Sequence, residues 1–182
     1  MSWALRLVLI LGLLPGLLAA GEFEITQVKT RLQEGVYLLD AEIDYQFNET
    51  VLEALNHGVP LILEVHIQLR HEGAWVWEQD AAELRLRYRI RYHALTSLYE
   101  VSDLAQETSR TFVTQDAALS FLGELHGLPI VDEKQLLADT PYNLEIKAQL
   151  DIEALPLPLR PLAYLTPAWN LSSGWGLWPL TP

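Results

Sequence analysis

Between Leu84 and Tyr92 every second residue is apolar and every residue between is arginine: Leu84-Arg85-Leu86-Arg87-Tyr88-Arg89-Ile90-Arg91-Tyr92. Alternate side chains of a strand point to opposite faces, whereas a helix would scatter these arginines around its axis. The stretch therefore predicts a β-strand with a dry face and a wet face carrying Arg85, Arg87, Arg89 and Arg91. The same two-residue period recurs at Tyr37, Leu39, Ala41, Ile43 and Tyr45, with Asp40, Glu42 and Asp44 between them. It returns at Leu61, Leu63, Val65, Ile67 and Leu69, and again at Tyr142, Leu144, Ile146, Ala148, Leu150 and Ile152. Phe23 to Leu32 reads as a first strand with a change of phase near Gln27-Val28, as a bulge produces. Glu34-Gly35 makes a turn, so the first two strands form a hairpin. Tyr99–Leu104 and Ser109–Val113 predict another hairpin, turning near Ala105-Gln106-Glu107.

Helical spacing is confined to insertions. Asn48 is placed to cap a short helix carrying Val51, Leu52 and Leu55, stopped by Gly58 and Pro60. Thr114 is placed to cap a helix over Gln115–Leu125 with Ala118, Leu119, Leu122 and Leu125 buried, ending at Gly127. Asp132 and Gln135 have capping-box spacing for a third, shorter helix. Trp75-Val76-Trp77-Glu78 reads as a short extended piece. From about residue 155 the chain turns proline- and tryptophan-rich. Leu155–Leu162 is expected to wrap the surface and plug gaps with leucine, and Trp169–Trp175 to form an edge strand. Seven or eight strands in consecutive hairpins predict a mainly β fold: an antiparallel β-sandwich, immunoglobulin-like in general architecture, with two or three short helical insertions.

The first 20 residues differ. Arg6 is followed by an apolar run from Leu7 to Leu18, interrupted at Pro15-Gly16 and ending in Ala19-Ala20-Gly21. This is the pattern of a secretory signal, with cleavage expected after Ala20 or Gly21. The alternative is an uncleaved inner-membrane anchor through residues 3–20, since about 18 apolar residues suffice to span a bilayer. Residues 21–182 then form a single domain, periplasmic or exported.

Charge and composition narrow the function. A formal net charge of -12 argues against a nucleic-acid partner, because phosphate binding needs a basic surface. With no cysteine, disulfides and thiol chemistry are excluded, and the fold must rest on its core. His57, His66, His71, His93 and His126 show no metal-ligand spacing, no phosphate-binding glycine motif is present, and no nucleophile motif stands out. The chain is thus read as non-catalytic, without metal or cofactor. Two features are left as binding candidates. If the arginine and acidic strands are neighbours, their combs make a ladder of cross-strand ion pairs. The alternative use of Arg85, Arg87, Arg89 and Arg91 is a groove for a carboxylate or phosphate ligand. Trp75 and Trp77, and then Trp169, Trp175 and Trp178, either cover the core or form a platform for a partner.

Several words in order carry a resemblance: Gly35-Val36-Tyr37-Leu38-Leu39-Asp40-Ala41-Glu42-Ile43-Asp44-Tyr45, Gly58-Val59-Pro60-Leu61, Leu84-Arg85-Leu86-Arg87-Tyr88, Leu159-Arg160-Pro161-Leu162-Ala163-Tyr164-Leu165, then Trp169 and Leu171-Ser172-Ser173-Gly174-Trp175. The chain after its leader resembles the bacterial family called domain of unknown function 4390. The resemblance implies a protein exported or membrane-anchored in Gram-negative bacteria, with no assigned activity and no catalytic residues to carry over. Genes of that family often neighbour those for a two-component sensor kinase, which implies an envelope partner such as a sensor kinase. The expected function is a non-catalytic protein-interaction module of the cell envelope. The rivals are a periplasmic anion-binding protein using the arginine face and an uncharacterised hydrolase.

Overall fold

The computed structural model describes residues 22–73 and 80–181. The leader, Trp75 and Trp77 lie outside the described residues. The alternating stretches become strands, and their dry positions become one core. β1 (Phe23–Gln33) and β2 (Val36–Tyr45) form the expected hairpin, with a register shift between Ile25 and Gln27. Asn48 caps α1 (Glu49–Asn56), its side chain accepting from the Val51 amide. β3 (Leu61–His71), β4 (Ala82–His93), β5 (Leu98–Asp103) and β6 (Thr108–Phe112) then run as a meander.

The next segment departs from expectation. α2 (Gln115–Gly123) ends earlier than Leu125 and passes without a loop into β7 (Glu124–Asp132), a strand that the sequence pattern did not predict. Gly127 lies inside that strand at a register irregularity rather than ending a helix. Asp132 caps a single 3-10 turn, Glu133–Gln135. β8 (Tyr142–Leu150) follows, and Ile152 falls in a 3-10 turn beyond its end. In the tail, α3 (Arg160–Leu165) and a 3-10 turn, Pro167–Trp169, precede β9 (Gly176–Pro179). The edge strand thus begins after Trp175 instead of ending there.

Two antiparallel sheets result, β1-β2-β7 and β6-β5-β4-β3-β8-β9. Leu39, Ala41, Ile43 and Tyr45 of the small sheet share one buried cluster with Leu61, Leu63, Val65, Ile67, Leu144 and Ile146 of the large one. The large sheet is wider than its partner, so β5 and β6 extend past it. Helix α2 covers that overhang: Ala118 and Leu122 are buried, and the Phe121 ring lies 5.1 Å from Phe112. Among the described residues the fold is mainly β, two facing antiparallel sheets with three short α-helices.

Candidate functional site

The polar face of the large sheet carries the arginines, and the topology decides their partners. β2 belongs to the other sheet, so Asp40, Glu42 and Asp44 do not stand beside Arg85–Arg91. The expected ladder between the two combs does not form, because pairing follows the β3-β4-β5 meander instead. The positions opposite Arg85 and Arg87 on β3 are His66 and Glu64; Ser102 and Glu100 on β5 stand opposite Arg89 and Arg91. Arg87 Nη2 donates to Asp151 Oδ2 at 2.7 Å, with Glu64 Oε2 3.8 Å from its Nε. Arg89 donates to Ser102 Oγ at 3.2 Å, and Arg85 donates twice to Glu83 Oε1 at 3.1 and 3.0 Å. Asp40 is used elsewhere: it pairs with Arg31 and accepts from the Gly127 amide at 2.7 Å, pinning the irregular point of β7.

These contacts leave titration marks on two acids. Glu83 is held below the usual carboxylate range by hydrogen bonds from Arg85 and His66. Glu100 is lowered chiefly by its hydrogen bond with His93, whose Nε2 lies 2.6 Å from its Oε2. Arg85, Arg87 and Arg89 thus already face internal acceptors, and a ligand carboxylate or phosphate would have to compete with them.

The tryptophans separate. Trp169 is 3% exposed and packs in the core, so its indole is removed from the surface. Trp178 faces inward opposite Leu144 and packs against the core; a Cβ added at Gly176 would lie 2.1 Å from its ring. Trp175 is 48% exposed and sits edge-on to His66, ring centroids 5.0 Å apart, while His66 Nε2 lies 2.7 Å from Glu83 Oε1. One member of the predicted cluster therefore remains on the surface, next to the arginine face.

β9 extends that surface in a way the sequence reading missed. Leu177 lies opposite Glu145 and Pro179 opposite Asn143, so both share the polar face of the sheet. Leu177 is 61% exposed. Leu177 and Pro179 on the outermost strand and Trp175 just before it form an apolar row, and the outer backbone edge of that strand has no neighbouring strand among the described residues. The missed signal was the period itself: Trp178 and Leu180 are apolar too, so the stretch reads as uniformly apolar and not as alternating.

Comparison with known proteins gives one family match: the model described as Domain of unknown function (DUF4390) fits residues 20–179. No curated protein and no solved structure matches.

Proposed function

The chain belongs to the DUF4390 family, and we propose that it is an exported, non-catalytic interaction module of the cell envelope that takes its partner onto the β9 edge. One observation carries the reading: an open edge strand whose outward residues are apolar, on a sheet face otherwise lined with charge. Exposed edges are usually blunted, because unpaired backbone groups recruit other strands. Here β7 carries Gly127 and Pro129, and the Thr181 backbone is hydrogen-bonded to the Thr30 side chain on β1. By contrast β9, though short and ended by Pro179, sets its open edge beside two exposed apolar side chains, Leu177 within the strand and Trp175 just before it. An added strand would gain main-chain hydrogen bonds from the edge and specificity from Trp175 and Leu177. The partner class is an envelope protein with an extended extracytoplasmic segment, such as a two-component sensor.

The test is photocrosslinking in intact cells from position 175 or 177, with position 113, exposed just beyond β6 at the opposite edge of the same sheet, as the control. The expected result is one envelope protein captured at both 175 and 177 and not at 113, with capture lost in Leu177→Asp at unchanged melting temperature. Equal capture from all three positions, or none from 175 and 177 in a folded, exported chain, would reject the β9 edge as the interface.

A further inference from the structure

Apart from Leu137, Trp175 and Leu177, the exposed large apolar side chains among the described residues gather at one end of the sandwich. Leu157, Leu162, Tyr164 and Leu165 surround α3, with Leu165 83% exposed. Only part of this leucine-rich stretch plugs the core: Leu155 is buried and Leu159 packs partly against it. The segment is nonetheless firmly placed. Arg160 Nε donates to the Leu155 carbonyl at 2.7 Å, Ala163 is buried on the inner side of α3, and Trp169 is anchored in the core.

That end is also where the chain enters the domain. The Asn48 side chain donates to the Ala168 carbonyl at 2.5 Å, tying the start of α1 to the turn after α3. Phe47, one residue earlier, has its ring 5.8 Å from Phe23, and the Gln46 amide donates to the Glu22 carbonyl at 3.2 Å. Leu95 and Val113, two further exposed residues, share this end of the large sheet: His93 pairs with Leu98 and Tyr99 with Phe112. The apolar leader run of Leu7–Leu18 and Ala19-Ala20 stops immediately before Gly21 and Glu22. If that run lies in a bilayer, Gly21 lets Glu22 stand off by no more than about 7 Å, from about 3.5 Å per extended residue. The α3 end is then held within the headgroup layer. Leucines there bury apolar surface, and a tyrosine suits the boundary between tails and headgroups.

We infer that this end of the domain rests on a bilayer surface, with Leu157, Leu162, Tyr164 and Leu165 in the interface and, in place of the cleavage that the leader pattern predicts, residues 3–20 retained as the tether. The charge around the patch selects the lipid. Glu22, Glu24, Glu49, Glu53 and Glu153 outnumber Arg91 and Arg160 at this end and the chain carries -12 overall, so an anionic surface repels it and zwitterionic headgroups are the fitting partner. Among the described residues no helix is long and apolar enough to cross a membrane, so these side chains make a surface contact and not a second span. The inference rests on the envelope location proposed above, not on the β9 edge, which stays free to meet a partner.

The natural absence of cysteine makes the test direct. The full chain is expressed in an exporting Gram-negative host and purified from membranes as Leu162→Cys, Leu165→Cys or Leu137→Cys. Its intact mass is recorded, and each thiol carries an environment-sensitive fluorophore in phosphatidylcholine vesicles. The expected result is a mass that includes residues 1–20 and co-flotation with vesicles. Emission from positions 162 and 165 should be blue-shifted and quenched by nitroxide-labelled lipid, while position 137 reports water. Loss of residues 1–20, or failure to float, overturns the tether. Flotation with all three labels in water overturns the patch while leaving the tether standing. Equal melting temperatures for the three variants establish that each is folded.

Discussion

At the scale of single residues, Tyr45 shows how burial and polarity are balanced in this core. It ends β2 with its ring edge-on to Phe23, centroids 4.9 Å apart and planes at 87°. Its hydroxyl is buried with no hydrogen-bond partner among the described residues. Burial, with Tyr88 nearby, pushes its pKa far above the usual tyrosine range. A buried hydroxyl that donates to nothing costs about 1 kcal/mol or more relative to an apolar replacement of the same shape. Tyr45→Phe keeps the aromatic contact and should raise stability by about 1 kcal/mol at pH 7, measured by urea unfolding. The pH dependence has a definite sign. The unfolded chain loses this proton near pH 10 while the native chain keeps it, so native stability falls as pH rises above about 10. The variant lacks that contribution and should show a shallower alkaline decline. The decline should not vanish, because Tyr88 and Tyr99 are also raised, chiefly by burial. A less stable Tyr45→Phe with an unchanged alkaline slope would show that the hydroxyl is satisfied in solution.

At the scale of elements, the junction of α2 and β7 is the tightest point and the least legible one. Gly123 is buried where α2 crosses β2, and a Cβ there would lie 2.1 Å from the Ile43 carbonyl oxygen. Backbone cannot swing aside as a side chain can, so Gly123→Ala forces the helix off the sheet. Overpacking of this kind costs about 3 kcal/mol, and the better helix propensity of alanine returns about 1. The variant should therefore lose about 2 kcal/mol in urea unfolding, while Ser120→Ala on the exposed side of α2 should change little. Reading this junction from sequence fails for a physical reason. Ala118, Leu119, Leu122 and Leu125 keep a helical period, yet Leu125 is buried as a strand residue opposite Ala41. The β7 stretch itself has no clean alternation and contains Gly127 and Pro129. Strands with one wet face were legible, because alternation records which way each side chain points. Which strand lies beside which was not: the arginine comb was visible, but its acceptors Glu64, Ser102 and Asp151 come from pairings that only the assembled sheet supplies. The same limit hid the β9 row and the α3 patch. Trp175 was legible as a candidate, whereas separating it from Trp169 and Trp178 required knowing which side of the tail the core occupies.

At the scale of the whole molecule, the last residues close the sandwich. Helix α2 fills the side where the large sheet overhangs, and the tail fills the other. Going along the tail, the Leu150 amide donates to the Leu171 carbonyl at 3.0 Å, the Ser173 amide to the Ala148 carbonyl at 2.9 Å, and the Leu180 amide to the Tyr142 carbonyl at 2.8 Å. Thr181 then crosses to the small sheet, its amide donating to Thr30 Oγ1 at 3.0 Å. The same segment buries Leu171 and packs Trp178 and Leu180 against the core. A well-buried large apolar side chain such as Leu171 contributes about 1.5–3 kcal/mol and the partly buried Trp178 and Leu180 a share of that each, so together they make a sizeable part of the 5–15 kcal/mol of net stability common to domains. A chain ending at Asn170 should lose cooperative unfolding, and its uncovered β8 edge should drive aggregation, seen as a shift to large species in size-exclusion chromatography. Trp175→Ala in the full chain should leave the melting temperature unchanged within about 2 °C, since that indole packs on the outer face and not in the core. A truncated chain that still unfolds cooperatively near the full-length midpoint would mean that the tail merely decorates a sandwich already closed without it. The two outcomes differ in what they imply for binding. If the tail is part of the core, β9 is a rigid, pre-formed edge, and a partner that adds a strand to it meets little ordering cost beyond its own.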